Sequence, residues 1–341
     1  EKEDNERQIE SELSEYLFPK LSENNIHLNY TGGTKVMGTK IYQILQKFCN
    51  DNFKNFSTSY LSKSDFVLNF MCDKDYWSSR DLRNLIKISF EGLYALHNFQ
   101  IKHSKTKRIT NIDFFENLII NDLLKDYVTS EAGYKRASFI NKNNELIDNY
   151  DFFKSKFPEE NIINSQIVIR AISSLKPEIN LYDEFGKINN LTNANIKSII
   201  KYLDGDWFEE YIFKYVKECV DLDTYLISNN VHINKPNWGD YDFELDILLL
   251  RGYQLIGISI TTSDYPSLCK SKGFEIIHRI RQIGGDEAKM ILITLLESEK
   301  KEKLKKGIEY DNGSGTQILV LGNSDIKPEN LKEHIKKFLE N

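Results

Sequence analysis

The stretch ELDILLLRGYQLIGISITT, residues 244 to 262, is an apolar hairpin with oxygen-bearing side chains near its open end. Strand alternation puts Glu244 and Asp246 on one face of the first strand, and Ser259 and Thr261 on one face of the second. Lys270 and Lys272 follow at the start of the next segment, and Glu209 precedes the hairpin within GDWFEEYIFKYVKECV. Metal-dependent phosphodiester cleavage is the chemistry such a set could support. Asp246 and Glu209 are the natural carboxylate ligands for Mn2+ or Mg2+, which take oxygen donors. The cation would acidify a bound water and stabilise the charge that develops as the phosphate is attacked.

The pattern G-x-W-F-E, then E-L-D, then a second strand and a helix leading to GG resembles the PD-(D/E)xK nucleases over residues 205–341. In that family the second strand carries Glu-x-Lys. This chain has Ser259-Ile260-Thr261 instead. Two readings follow. In one, the site is rebuilt: Lys270 or Lys272 turns its amine back toward the metal, and Ser259 and Thr261 hold a water or a phosphate oxygen. Lysine's long stem makes such a relocation inexpensive. In the other, the domain is catalytically dead and binds a partner, and the two lysines are solvated surface charges.

A second constellation lies near the start. Thr31-Gly32-Gly33-Thr34-Lys35 follows the short apolar run IHLNY and opens a helix-like stretch from Val36 to Phe48. Glycines allow close backbone approach and positive φ, and a helix N-terminus offers unpaired N–H donors to an anion. The spacing is neither a P-loop nor a dinucleotide fingerprint. On spacing alone, a tight strand–helix turn with a surface lysine explains it equally well.

The stretch NYTGGTKVMG resembles the ligand loop of CRISPR-associated Rossmann-fold (CARF) domains, specifically those fused to restriction-type nucleases. The resemblance implies a homodimer that binds cyclic oligoadenylate, with the tetra-adenylate ring favoured, through Thr31, Gly32, Gly33, Thr34 and Lys35. It implies a cyclic tetra-adenylate-activated, metal-dependent nuclease acting on RNA or DNA in type III CRISPR antiviral defence. The alternative is a cyclic oligoadenylate-binding regulator whose nuclease-like domain is dead. A sensor that degrades its own activator is a third reading.

The elements that must position these residues are α/β in kind. Helix, strand, Gly-rich loop and helix open the chain, and a helix, an antiparallel hairpin, a helix, two strands and a helix close it. The expected fold is therefore a Rossmann-like CARF domain over 1–134, a helical connector over 135–204, and a restriction-endonuclease-like α/β sandwich over 205–341. Asp206 reads as the N-cap of the helix carrying Glu209, and 80–97 as one continuous helix. The opening EKEDNERQ has no methionine and reads as a fragment whose first CARF strands are missing.

Composition excludes little. Forty-five basic against 51 acidic residues give a net charge of −6, so any nucleic-acid surface must be local. The basic stretch KHSKTKRIT reads as a solvated loop. Cys49, Cys72, Cys219 and Cys269 form no C-x-x-C pair, which argues against a zinc site and fits a reducing cytoplasm. No apolar run is long enough to span a bilayer, so no membrane partner is expected.

Overall fold

The structure is a computed structural model that describes residues 6–21, 25–32, 34–72, 75–102, 112–122, 124, 202–236, 242–313 and 317–340. The chain divides into two compact units, Glu1–Lys87 and Ile88–Asn341. Residues 135–201 of the expected connector, Gly33, and residues 103–110 of the basic stretch lie outside the described residues.

The first unit opens with helix α1 (Glu6–Glu12), followed by β1 (Ile26–Asn29), α2 (Lys35–Asp51), β2 (Phe56–Leu61), β3 (Leu68–Cys72) and β4 (Asp75–Ser78). The sheet order is β1-β2-β3-β4. Strands β1 and β2 run parallel, with Ile26 opposite Phe56 and Asn29 opposite Ser59, and α2 crosses between them. Helix α2 can do so because Ile41, Leu45, Phe48 and Cys49 recur at helical spacing. Leu45 and Cys49 are buried against Ile26, with Ile41, Phe48, Leu28 and Phe56 packed around them. This β–α–β unit extended by an antiparallel hairpin is Rossmann-like, and it sets the Gly-rich loop at the carboxyl end of a parallel strand.

The second unit runs α3 (Phe90–Leu96), β5 (Gln100–Lys102), α4 (Asp113–Ile120), α5 (Trp207–Cys219), β6 (Tyr225–Asn234), β7 (Asp242–Arg251), β8 (Gln254–Ile260), α6 (Pro266–Gly284), β9 (Lys289–Ile293), α7 (Ser298–Asn312), β10 (Ile318–Leu321) and α8 (Pro328–Glu340). Its sheet has the order β10-β9-β8-β7-β6-β5. Neighbours are parallel from β10 to β8 and antiparallel from β8 to β5. The hairpin turn is Gly252-Tyr253, between paired Arg251 and Gln254, and Gly252 takes φ 64°, which favours glycine.

Helices cover both faces of this sheet. One core joins α4, α5 and α8 to Ile247, Leu249, Ile256, Ile258 and Ile260. The other joins α3, α6 and α7 to Leu248, Leu250, Leu255, Met290 and Leu292. Trp207 lies wholly inside the first core, stacked on Phe115 at 4.2 Å between ring centroids. Helix α6 presses so closely on β8 that a Cβ at Gly257 would stand 2.3 Å from two carbons of Ile280.

Two local expectations are corrected. Residues 80–97 do not form one helix. Asp81 accepts the Arg83 N–H at 2.9 Å and holds a tight turn over Leu82–Asn84, and α3 begins only after Ser89, whose hydroxyl accepts the Gly92 N–H at 3.1 Å. Side-chain oxygens that bond the nearby backbone interrupt a helix in this way. Asp206 makes no side-chain cap hydrogen bond, because its own backbone is already helical at φ −58°, ψ −32° and continues a wider turn from Tyr202.

Candidate functional site

In the second unit, Asp246 sits where β7 loses its ladder on both sides. Toward β6, pairing passes from Asn229↔Ile247 to Val231↔Leu245, skipping Asn230 and Asp246. Toward β8, pairing ends at Ile247↔Ile258. Asn230 has φ 53°, a left-handed conformation inside a strand, and its buried Oδ1 has no hydrogen-bond partner among the described residues. Into the gap on the β8 side, Asp246 Oδ2 accepts the backbone N–H of Ile260 at 2.7 Å. The carboxylate does there what a strand carbonyl does elsewhere.

Ser259 is buried and donates to Asp246, and the Lys272 charge also acts on that carboxylate. Burial nevertheless dominates and pushes the Asp246 carboxyl up to about 6, with the neighbouring Glu244 charge adding to the rise. Glu244 lies opposite His232 across the β6–β7 ladder, and their side chains approach to 3.5 Å. Thr261 donates its N–H to the Ile293 carbonyl at 2.9 Å and accepts the Ser263 N–H on its hydroxyl at 3.2 Å. Ser259 is therefore engaged with Asp246, and Thr261 with the protein's own backbone.

The two lysines separate. Lys272, also 3.6 Å from Glu275, is the amine whose charge reaches Asp246. Lys270 pairs with Asp311 on α7 at 2.8 Å. Glu209 is half-buried in the first turn of α5. That helix packs on the Ile258 and Ile260 face of the sheet, whereas Ser259 alternates to the face of α6.

Mn2+ or Mg2+ would take one or two carboxylates from the protein and fill its remaining positions with waters and substrate phosphate oxygens. Around Asp246 the structure gathers a backbone N–H, a hydroxyl and the charge of an ammonium, with Glu244 as the one other carboxylate that acts on it. Among the described residues, no three His, Cys, Asp or Glu side chains are grouped to hold a metal ion. One oxygen of the Asp246 carboxylate is already engaged in the sheet's own hydrogen bonding, by the Ile260 N–H.

In the first unit the loop is built from hydroxyl contacts. Thr31 donates its N–H to Asn29 Oδ1 at 3.0 Å, and its Oγ1 accepts the Leu61 N–H at 2.8 Å, tying the loop to the end of β2. Thr34 caps α2, its hydroxyl accepting the Met37 N–H at 3.2 Å. Lys35 opens α2 and is exposed, and a Cβ at Gly32 would meet nothing within 4 Å. The loop thus sets the Thr31 side chain and an exposed cation beside the N-terminus of a 17-residue helix.

Sequence reasoning missed Asn230, Tyr60, Tyr76, Asn69 and Ser78. Asn230 lies in SNNV, where asparagine is a residue type tolerant of positive φ, but nothing in the sequence says which of the two asparagines takes it. The other four meet only through the β2–β3–β4 register, which no local pattern in the sequence specifies.

No protein-family model matches the sequence, and no curated protein does. Among solved structures the chain is similar to protein VC1899 from Vibrio cholerae, with a TM-score of 0.61 and 16% identity over 99% of this chain and 82% of that one. It is also similar to Can2 from Sulfobacillus thermosulfidooxidans in complex with cyclic tetra-adenylate. There the TM-score is 0.56 and the identity 16%, over 98% of this chain and 80% of Can2. At that identity the likeness is one of fold. The chain has a two-domain α/β architecture, an N-terminal Rossmann-like, CARF-like sheet and a C-terminal mixed sheet resembling the PD-(D/E)xK nucleases. Among the described residues no helix is long and apolar enough to cross a membrane.

Proposed function

We propose that this chain is a cyclic oligoadenylate-binding regulator of the CARF type whose nuclease-like domain engages a partner instead of cleaving nucleic acid with a divalent metal. The observation that carries the second half is the bond between Asp246 and the Ile260 N–H. The carboxylate that the fold presents at the hairpin is tied into the sheet and surrounded by Ser259 and Lys272. The first half is supported by the loop at Thr31 to Lys35 and by the likeness in fold to Can2, which was solved in complex with cyclic tetra-adenylate. Lys35 and the α2 N-terminus would take the ligand's phosphates, and a symmetric ring would be bound between two copies of the sensor.

A second reading keeps one observation of its own. Lys272 brings a positive charge to Asp246, as a relocated catalytic amine would in a Mn2+- or Mg2+-dependent nuclease. Incubating the full chain with labelled RNA and DNA, with each metal, with and without cyclic tetra-adenylate, separates the two. Binding of the ring without metal-dependent cleavage is the expected result. Cleavage that requires metal and disappears in Asp246→Asn would give the site to the nuclease.

A further inference from the structure

Beside the Gly-rich loop, the first unit carries a group of phenols that neither the loop nor the packing of α2 uses. Tyr30 follows β1 and Tyr60 lies near the end of β2, so both stand at the carboxyl ends of the two parallel strands, where open α/β sheets bind ligands. Their rings are 5.5 Å apart and tilted by 33°. Tyr76 on β4 is hydrogen-bonded to Tyr60, and it donates to Asn69 Oδ1 at 2.6 Å. Ser78 donates to the same oxygen at 2.6 Å. Tyr60, Asn69 and Ser78 share one register row across β2, β3 and β4.

This arrangement differs from a scatter of surface aromatics. Asn69 is 5% exposed and accepts from both Tyr76 and Ser78 on its oxygen, whereas the tyrosines are open to solvent, at 37% for Tyr30, 37% for Tyr60 and 62% for Tyr76. The Tyr76 hydroxyl is anchored on Asn69, while its ring side remains exposed. The phenols of Tyr30 and Tyr60 are raised above the ordinary range, Tyr30 chiefly by burial and Tyr60 chiefly by Tyr76, so both remain neutral donors at physiological pH. The bond from Leu61 N–H to Thr31 Oγ1 fixes the loop directly against the strand that carries Tyr60.

An adenylate ring needs two kinds of contact, cationic or N–H donors for its phosphates and flat apolar faces with neutral hydrogen-bonding groups for its purines. The loop supplies the first kind. We propose that Tyr30, Tyr60 and Tyr76 form the purine-recognition wall of the sensor, stacking the base on their exposed faces and contacting its edge or ribose through their hydroxyls. This rests on the reading of the first unit as a cyclic oligoadenylate sensor.

Calorimetric titration of the full chain with cyclic tetra-adenylate tests it, with Tyr76→Ala, Tyr60→Ala, Tyr76→Phe and Tyr310→Ala beside the wild type. Loss of an aromatic platform costs roughly 5- to 150-fold in affinity per base, so Tyr76→Ala and Tyr60→Ala should each weaken binding by about that much. Tyr76→Phe keeps the ring and should lose less than Tyr76→Ala. Tyr310, 88% exposed on α7 in the other unit, should be neutral on substitution. Wild-type affinity in both alanine variants would overturn the tyrosine wall and leave the sensor standing. A wild type that fails to bind the ring would overturn the sensor reading, and the wall with it.

Discussion

Asp246 Oδ2 lies 2.7 Å from the backbone nitrogen of Ile260, so a side chain completes the β7–β8 ladder after the backbone pairing has ended at Ile247 and Ile258. A carboxylate in that role satisfies a buried N–H that would otherwise stay orphaned. The same carboxyl accepts from Ser259 and feels the Lys272 charge while buried. The consequences are thermodynamic before they are catalytic, and each can be measured.

The first is a pH dependence of stability. The Asp246 carboxyl is raised from 3.8 to about 6 by burial, so the folded state holds its proton more tightly than the unfolded chain does. The contribution of this group is fully present below pH 4 and is lost as the pH rises through 6. A shift of that size corresponds to on the order of 2–3 kcal/mol. Asp246→Asn keeps an oxygen for the Ile260 N–H and cannot ionise. Urea denaturation from pH 4 to 7.5 should therefore show the variant gaining on the wild type between pH 4 and 6.5. A difference curve flat with pH would contradict the buried setting of the carboxylate.

The second concerns the lysines. Removing Lys272 deletes the positive charge that holds the Asp246 carboxyl down, so Lys272→Ala should move its titration midpoint further up. Lys270 is engaged with the half-exposed Asp311, and Lys270→Ala should leave the midpoint unchanged and cost at most about 1 kcal/mol of stability. Carbon-detected NMR of the aspartate side chains reads both. Equal shifts in the two variants would mean that the amine nearest Asp246 has been misassigned.

The elements around this group were readable in the sequence where periodicity was strong. The apolar hairpin of residues 244–262 becomes β7 and β8, the helix expected to lead to GG is α6, and the helix expected from Val36 is α2. What local pattern could not convey was pairing. SITT reads as too polar for a core strand unless it faces water, yet Ser259 is buried and its hydroxyl is satisfied by Asp246, a residue on the neighbouring strand. Strand β2, FSTSYL, alternates without a clear apolar face because its residues meet Asn69 and Met71 on β3 on one side of the sheet and Phe70 and Cys72 on the other. Lys270 and Lys272 differ by two positions on one helix, and their tertiary surroundings tell them apart, Asp311 on α7 beside Lys270 and Asp246 within reach of the Lys272 charge.

The third prediction tests the seat of α6. A methyl group at residue 257 would have to displace Ile280, which is fully buried. Gly257→Ala should destabilise the second unit by about 1–3 kcal/mol, the usual cost of overpacking a core. Because α6 carries Lys272, the same variant should also disturb the Asp246 titration. Wild-type stability in urea would show that the helix yields more easily than its packing implies.

The last prediction addresses the sensor loop through two neighbouring residues with different work. Thr34 caps α2 with its hydroxyl, so Thr34→Ala should lower stability by about 1 kcal/mol and increase hydrogen exchange at the Met37 amide. Lys35 is exposed and begins the helix, so Lys35→Ala should leave stability within about 0.5 kcal/mol of wild type. Its effect should appear in ligand binding, where loss of a charge-assisted hydrogen bond to phosphate costs roughly 10- to 100-fold in affinity. The loss should shrink as salt is raised, because an exposed ammonium is screened. Calorimetry with cyclic tetra-adenylate at two salt concentrations decides the matter. Unchanged affinity in Lys35→Ala at low salt would remove the loop from the binding site and leave it as a strand–helix turn.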